Sequence, residues 1–424
     1  MIDVVGVGDG DFRDLPTAMR TLISQARVLI GSRRQLERIP QMPQQVRRLL
    51  PSPLHPGLTD LLHGVGAAAE SDDDGLVMLA SGDPLLSGIG STLIGMLGAA
   101  KVRIHPWISS EALARARMCW PAESTLVVSA VGRSIDAVRR HLTPEARLIV
   151  LCPDGSAPAA LARLLVEEGC GRSRITAWWH LGGPAEGSRS AEARVWNEAR
   201  TPDLVLACVE VESTGALARP SLGAAPGRDE SAFEHDGQLT KRDVRASALA
   251  HLRPTPGAHL WDLGAGTGSI GIDWALAESR ARVSAVEVRP ERAERIARNA
   301  ARLGVGASVK VVHGDAAAHL HELDAPDAVF IGGGLSGELL DTAWERLPIG
   351  GRCVAHAVTM ESEAILVAAL RAHGGALTRL SVEQAEPLGR YLAWTPLRPI
   401  VQWSAVKAMP VGARRITDAE TDRP

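Results

Sequence analysis

The stretch WDLGAGTGSIGIDW, residues 261–274, decides how the second half of the chain reads. Trp261 to Leu263 are an apolar strand end, and Gly264, Gly266 and Gly268 permit a tight turn. Ser269 or Ile270 then opens a helix. A turn of this kind lets backbone approach a ligand closely, with the free N–H groups of the helix start facing it. About twenty residues on, the apolar run VSAVEV ends in Glu287. A carboxylate there is placed to accept hydrogen bonds from the two hydroxyls of a ribose.

Two ligand classes fit. GTGSIG (266–271) satisfies the GxGxxG of an NAD-type dinucleotide site. The other pattern is DxGxGxG, with Asp262 two residues before Gly264, which resembles the first motif of S-adenosylmethionine methyltransferases. The carboxylate of Asp262 would repel a diphosphate, whereas a sulfonium and an ammonium tolerate it. HGDAAAHL adds Asp315 after a third strand, resembling the acidic residue that contacts the adenine amino group in that class. FIGGG (330–334) ends a fourth strand, where an active-site loop belongs in a doubly wound sheet. His313, His319 and His321 read as a polar helix start and surface.

Outward from this turn, short apolar runs alternate with helical patterns along most of the 424 residues, which is α/β grammar. Strands are expected at IDVVGVG, RVLIG, GLVMLASGD, KVRIHP, TLVVSAVG, ARLIVLC, RITAWWHL and DLVLACVEV. A second series comprises AHLWDLG, RVSAVEV, VKVVHGD, DAVFIGG and GRCVAHAV. Between the series lies STGALARPSLGAAPGRDES, without periodicity, as expected of a linker. The expected division is a domain over 1–212, a linker over 213–231, a domain over 232–406 and a frayed tail over 407–424.

Hydrophobic residues make up 45% and charged residues 22%, with a net charge of −3. Such a balance offers no electrostatic footprint for a polyanion, and one Tyr with three Phe leaves little for base stacking, although ten Trp partly compensate. No nucleic-acid or membrane partner is expected. The opening MIDVVG has no basic region or apolar core of a secretory signal, so a cytoplasmic location is expected. The five cysteines are far apart and read as buried thiols, with no metal site.

In the first half, VGVGDGD (5–11) follows a strand but no acidic residue ends the next one. LASGDPLLSGIGSTL adds a Gly-Asp-Pro turn. HPWISSEALARA adds Pro-x-x-Ser-Ser, with Ser109 or Ser110 as a helix N-cap. In order and spacing these resemble the tetrapyrrole methylase family, whose members hold S-adenosylmethionine between two α/β lobes. The resemblance implies donor-binding roles for Gly6, Gly8, Gly82, Asp83, Pro84, Ser109 and Ser110. Asp9 stands where the family usually carries proline, Trp107 where glycine is frequent, and Val131 in a position that is often histidine.

The whole, with LTKRDVRA (239–246) leading into the glycine turn, resembles the bifunctional decarboxylating precorrin methyltransferases of cobalamin biosynthesis. In that family Asp273 is usually Glu. The resemblance implies a two-lobed tetrapyrrole methylase fold followed by a Rossmann-like S-adenosylmethionine methyltransferase fold. It also implies one donor site in each, a precorrin substrate methylated at carbon-5 and carbon-15, and loss of carbon dioxide from the ring C acetate. A homo-oligomer is expected. The substrate's many carboxylates call for cations, and Lys241, Arg242 and Arg245 are the candidates, with Arg390 a weaker one. Glu234, His235 and Asp236 offer either a proton donor or a helix cap. No nucleophile is required or identified. Two alternatives stay open: a methyltransferase for RNA or another metabolite on the same C-terminal fold, and an NAD-type dinucleotide-binding protein.

Overall fold

A computed structural model describes residues 1–54, 56–67, 75–212 and 225–409. The chain divides into two compact units, one of 1–135 with 144–216 and the other of 136–143 with 217–424.

The first unit contains two five-stranded sheets. One is parallel, with strands β1 (Ile2–Val7), β2 (Val28–Gly31), β3 (Val46–Leu49), β4 (Leu76–Ser81) and β5 (Val102–His105) in the order β3-β2-β4-β1-β5. Its central strands are continuous apolar runs because both faces are covered. Val5, Leu79 and Ile23 pack on one side, and Val4, Met78 and Leu93 on the other. The second sheet is mixed, with β6 (Thr125–Ser129), β7 (Arg147–Leu151), β8 (Arg174–Trp179), β9 (Gly187–Glu192) and β10 (Val205–Glu210) in the order β6-β7-β10-β8-β9. The edge strands β3 and β9, mostly solvent-facing, were not anticipated from the sequence.

The second unit is built on seven strands. These are β11 (His259–Leu263), β12 (Arg282–Glu287), β13 (Val309–His313), β14 (Ala328–Ile331), β15 (Arg352–Ala357), β16 (Ala376–Leu380) and, after the ribbon β17 (Glu383–Leu388) and β18 (Tyr391–Pro396), β19 (Ile400–Val406). Their order is β13-β12-β11-β14-β15-β19-β16, parallel except that β19 runs against both neighbours. Strand order reverses between β11 and β14, so a crevice opens where their carboxyl ends diverge. Helices Arg242–Leu252, Ser269–Ala277 and Pro290–Arg302 cover one face, and Gly337–Arg346 and Met360–His373 the other.

Of the expected linker, 213–224 lies outside the described residues, whereas in 225–231 Arg228 is buried and most of its neighbours are exposed. Of the expected tail, 410–424 lies outside them, and Lys407 is tied down by its ammonium donating to the carbonyls of Trp344 and Leu347 at 2.8 Å. Four of the five cysteines are buried and Cys119 is exposed.

Candidate functional site

In the second unit the glycine turn sits at the switch point. Gly264, Gly266 and Gly268 have φ of 64°, 61° and 77°, a region that L side chains enter at a cost. Each answers a different need. A Cβ on Gly264 would lie 2.2 Å from the Gly333 carbonyl, and one on Gly268 2.7 Å from Ile296, whereas one on Gly266 would meet nothing within 4 Å. Thus Gly264 lets the loop after β11 lie against FIGGG, whose Gly332 N–H donates to the Leu263 carbonyl at 2.9 Å. Gly266 faces open space.

Glu287, at the end of β12, holds this turn: its carboxylate accepts from the N–H of Gly266 at 2.8 Å and of Arg289 at 3.0 Å. Across the β12–β13 pair it faces His313, two residues before Asp315. Asp315 is exposed and caps the helix Ala316–His319 by accepting from the Ala317 N–H at 2.9 Å. Asp262, Glu287 and Asp315 therefore end three adjacent strands, as the motif spacing implies.

Asp262 is 1% exposed; its Oδ2 accepts from the Gly271 N–H at 2.9 Å and its Oδ1 has no hydrogen-bond partner. Burial pushes its carboxyl up to about 7, the negative charge of Glu287 pushes the same way, and the Gly271 N–H opposes both. An open-faced glycine backbone, a carboxylate on the turn and an unsatisfied buried oxygen beneath it form a fitting donor set for a cationic nucleoside ligand. The pH dependence follows from the raised folded value. The contribution of Asp262 to stability is complete below the ordinary carboxyl value of 3.8 and is lost as pH rises through about 7. Asp262→Asn, which still accepts from Gly271, is expected to flatten that loss. Urea midpoints at pH 5 and pH 8 that diverge equally in wild type and variant would contradict this.

The lead-in segment turns out to be structural at one of its expected substrate cations. Arg245 is fully buried, donates from Nε to Asp273 at 2.9 Å and from its Nη atoms to the carbonyls of Thr240 and Arg228, and stacks on Phe233. It cannot meet a substrate; the expectation is corrected because its helix presents that face to the core. Lys241 stands at the N-cap position of this helix without a side-chain capping bond and is half-buried, and Arg242 is exposed. Arg390 lies over the Tyr391 ring on the exposed ribbon. Glu234 and Asp236 pair with Arg298 and with Arg292 and Arg295, so they anchor the lead-in to the helix Pro290–Arg302. Arg228 and Asn299 were not singled out by the sequence, and Asp273 was singled out only for its residue type. Arg228 and Asp273 form a second buried ion pair at 2.9 Å. Asn299 accepts from the Glu234 N–H at 2.8 Å and donates to the Thr267 carbonyl at 3.1 Å, joining lead-in to glycine turn.

In the first unit, a cleft of about 480 Å³ opens between the two sheets and is lined by Gly8, Gly82 and Ser110, together with Val131, Leu206 and others. Gly6 serves packing: a Cβ there would lie 2.0 Å from the Gly82 carbonyl and 2.7 Å from the Trp107 nitrogen. Three loops thus converge backbone to backbone. Ser109 is the N-cap of the helix Ser110–Met118, accepting from the Ala112 N–H at 3.2 Å. Asp83 accepts from the Leu85 N–H at 2.8 Å, and the Pro84 carbonyl receives the Gly90 N–H at 3.0 Å, so both shape the Gly-Asp-Pro turn. Trp107 covers Gly8 with its indole.

Comparison with known proteins matches each unit separately. Residues 1–192 match the tetrapyrrole (corrin/porphyrin) methylases, and residues 231–407 match the precorrin methyltransferase domain. The chain is 40% identical over 408 residues to a precorrin-6Y C(5,15)-methyltransferase (decarboxylating) of Sinorhizobium sp, covering 96% of each. It is 39% identical over 409 residues to that of Mycobacterium tuberculosis, covering 96% of this chain and 100% of the relative. A probable cobalt-precorrin-6B C(15)-methyltransferase (decarboxylating) of Pyrobaculum aerophilum is 34% identical over 186 residues, 42% of this chain and 94% of the relative. The solved C-terminal domain of precorrin-6Y C5,15-methyltransferase from Rhodobacter capsulatus is 47% identical with a TM-score of 0.42, covering 44% of this chain and all of that one. With each unit matched and 39–40% identity to the first two relatives over 96% of its length, the chain belongs to the family of precorrin-6Y C(5,15)-methyltransferases (decarboxylating).

Proposed function

We propose that this chain methylates a precorrin at carbon-5 and carbon-15 and removes the ring C acetate carboxyl as carbon dioxide, using S-adenosylmethionine in each unit. The first unit serves carbon-5; the second serves carbon-15 and the decarboxylation. The observation that carries this reading is the presence of two separate glycine-built strand ends, one in each family-matched unit. A relative of about one unit's length, named for the C(15) reaction with decarboxylation, supports the division.

Bound S-adenosylmethionine supplies a methyl group already activated by its sulfonium. What remains for the protein is alignment and exclusion of water. In the second unit Glu287 and Asp315 are the residues proposed to hold the ribose and adenine, and Asp262 to offer negative charge beneath the turn. In the first, Gly8, Gly82 and Ser110 line the cleft, while apolar Leu79, Ile89 and Leu206 restrict water. Loss of carbon dioxide leaves an electron pair that the protonated conjugated macrocycle accepts, so no side-chain nucleophile is needed. The half-buried Lys241 and the exposed Arg242 are proposed to meet substrate carboxylates.

The reading is of a cytoplasmic enzyme without nucleic-acid or membrane partners; among the described residues no helix is long and apolar enough to cross a membrane. Self-association is part of it. Among the described residues the ribbon β17–β18 pairs with no further strand, and it exposes Leu388 and Tyr391 on one side and Leu392 and Trp394 on the other, apolar surface suited to a second copy. Incubating the chain with precorrin-6Y and methyl-labelled donor is expected to give a product with two methyl gains and one carboxyl loss by mass. A product with label but an unchanged carboxyl count would sink the decarboxylase half.

A further inference from the structure

The notable departure of the first unit from its family pattern is Asp9, and the structure gives it a purpose. Its carboxylate is 2% exposed and takes contacts from both lobes of the unit. Arg34 donates from Nη1 at 2.7 Å, Arg38 places Nη2 at 3.0 Å, and His180, following β8 in the second sheet, donates from Nδ1 at 2.9 Å. Two arginines on one carboxylate leave a positive excess at this point.

Arg38 lines a smaller recess of about 140 Å³. Arg34 alone lines the main cleft: among the described residues around that cleft there is no lysine, histidine or second arginine. Its side chain is about one-third exposed, with Nη1 anchored on Asp9 and Nη2 3.4 Å from the Ser81 hydroxyl. Ser81 immediately precedes Gly82, so the cation lies between the first glycine loop and the Gly-Asp-Pro loop. An arginine fixed on one edge by a buried carboxylate presents its remaining N–H groups in a set direction, which suits a second, planar anion.

We infer that Arg34 is the carboxylate-reading residue of the first unit, gripping an acetate or propionate arm of the macrocycle, and that Asp9 is the positioning residue that aims it. The inference rests on the proposal that this unit handles the macrocycle at carbon-5. A polyanionic substrate entering a cleft with one cation has one place to anchor an arm by charge. That place is beside the loops proposed to hold the methyl donor.

Arg34→Ala leaves Asp9 with Arg38 and His180 as partners, so the buried carboxylate is not orphaned and the fold is expected to persist. In the full-length chain, methyl-labelled donor and precorrin-6Y report transfer at each carbon by the position of the label. Arg34→Ala is expected to raise KM for transfer to carbon-5 by about tenfold to a hundredfold, the worth of a charged hydrogen bond. At saturating macrocycle kcat stays within about threefold, and KM at carbon-15 is unchanged. Arg34→Lys keeps the charge but loses the fork, so its KM falls between the two. Calorimetry with S-adenosylhomocysteine checks that both donor sites still fill. Unchanged KM at carbon-5 with both donor sites filled overturns the inference while leaving the proposed function standing. A wild-type chain that fills one site only, or never labels carbon-5, overturns the reading of the first unit and this inference with it.

Discussion

Asp273→Ala is expected to cost the second unit about 5 kcal/mol, the upper end for breaking a buried ion pair. The side chain of Asp273 is 0% exposed, with the guanidinium of Arg228 on one oxygen and that of Arg245 on the other, both at 2.9 Å. Deleting it removes the carboxylate that two buried guanidinium groups share. The Nη donors of Arg245 are already committed to the Thr240 and Arg228 carbonyls, so they do not replace the lost contact. A loss of that size is comparable to the whole stability of a domain, about 5–15 kcal/mol. The second unit should therefore unfold at or near ambient temperature while the first keeps its transition. Asp273→Glu retains the charge and adds one methylene to a packed site, so a smaller cost of about 1–3 kcal/mol is expected. Urea unfolding followed by a probe in each unit reads both effects. If Asp273→Ala unfolds within 1 kcal/mol of wild type, as about 1 kcal/mol is typical of ordinary substitutions, the triad is not what ties the lead-in to the glycine helix.

The same triad shows where sequence reading worked and where it stopped. Strands β1, β4, β11 and β14 were legible because burial on both faces demands unbroken apolar runs, and the glycine turn was legible because positive φ restricts the residue type. Strands β3 and β9 were not, since at sheet edges most of their side chains face water and carry no period. Arg245 had a readable signal: Ala248, Leu249 and Leu252 follow it at three, four and seven residues, which places it on the core face of its helix. The reading weighed its charge and missed its phase. Asp273 likewise sits in a helix buried on nearly every side, where a lone charge requires a partner. Arg228 had no local signal, because it lies in a Gly- and Pro-rich stretch and acts only through tertiary contact. Gly6 illustrates a different limit. The resemblance implied a donor-binding role for it, and the groups that approach it most closely are the backbones of Gly82 and Trp107.

That distinction sets the second large effect, a reciprocal pair of glycine substitutions. In Gly6→Ala the new methyl would stand 2.0 Å from the Gly82 carbonyl and 2.7 Å from the Trp107 nitrogen, both backbone atoms that no rotamer change can move. The three loops framing the first cleft must separate. In Gly264→Ala the methyl would stand 2.2 Å from the Gly333 carbonyl at a φ of 64°, adding about 1–2 kcal/mol of conformational strain to the clash. Titration with S-adenosylhomocysteine is expected to give two equivalents bound by wild type, one by either variant and none by the double variant. The surviving site should keep its affinity within about twofold, since perturbations that share no partners add independently. Gly266→Ala supplies the internal contrast: its φ of 61° carries the strain, but the methyl meets nothing. It should weaken the second site by about tenfold without abolishing it, in line with strain of 1–2 kcal/mol appearing in binding. Should Gly264→Ala instead bind two equivalents, the turn after β11 would not be what holds the donor, and the carboxylates of Asp262 and Glu287 would need another ligand to explain them.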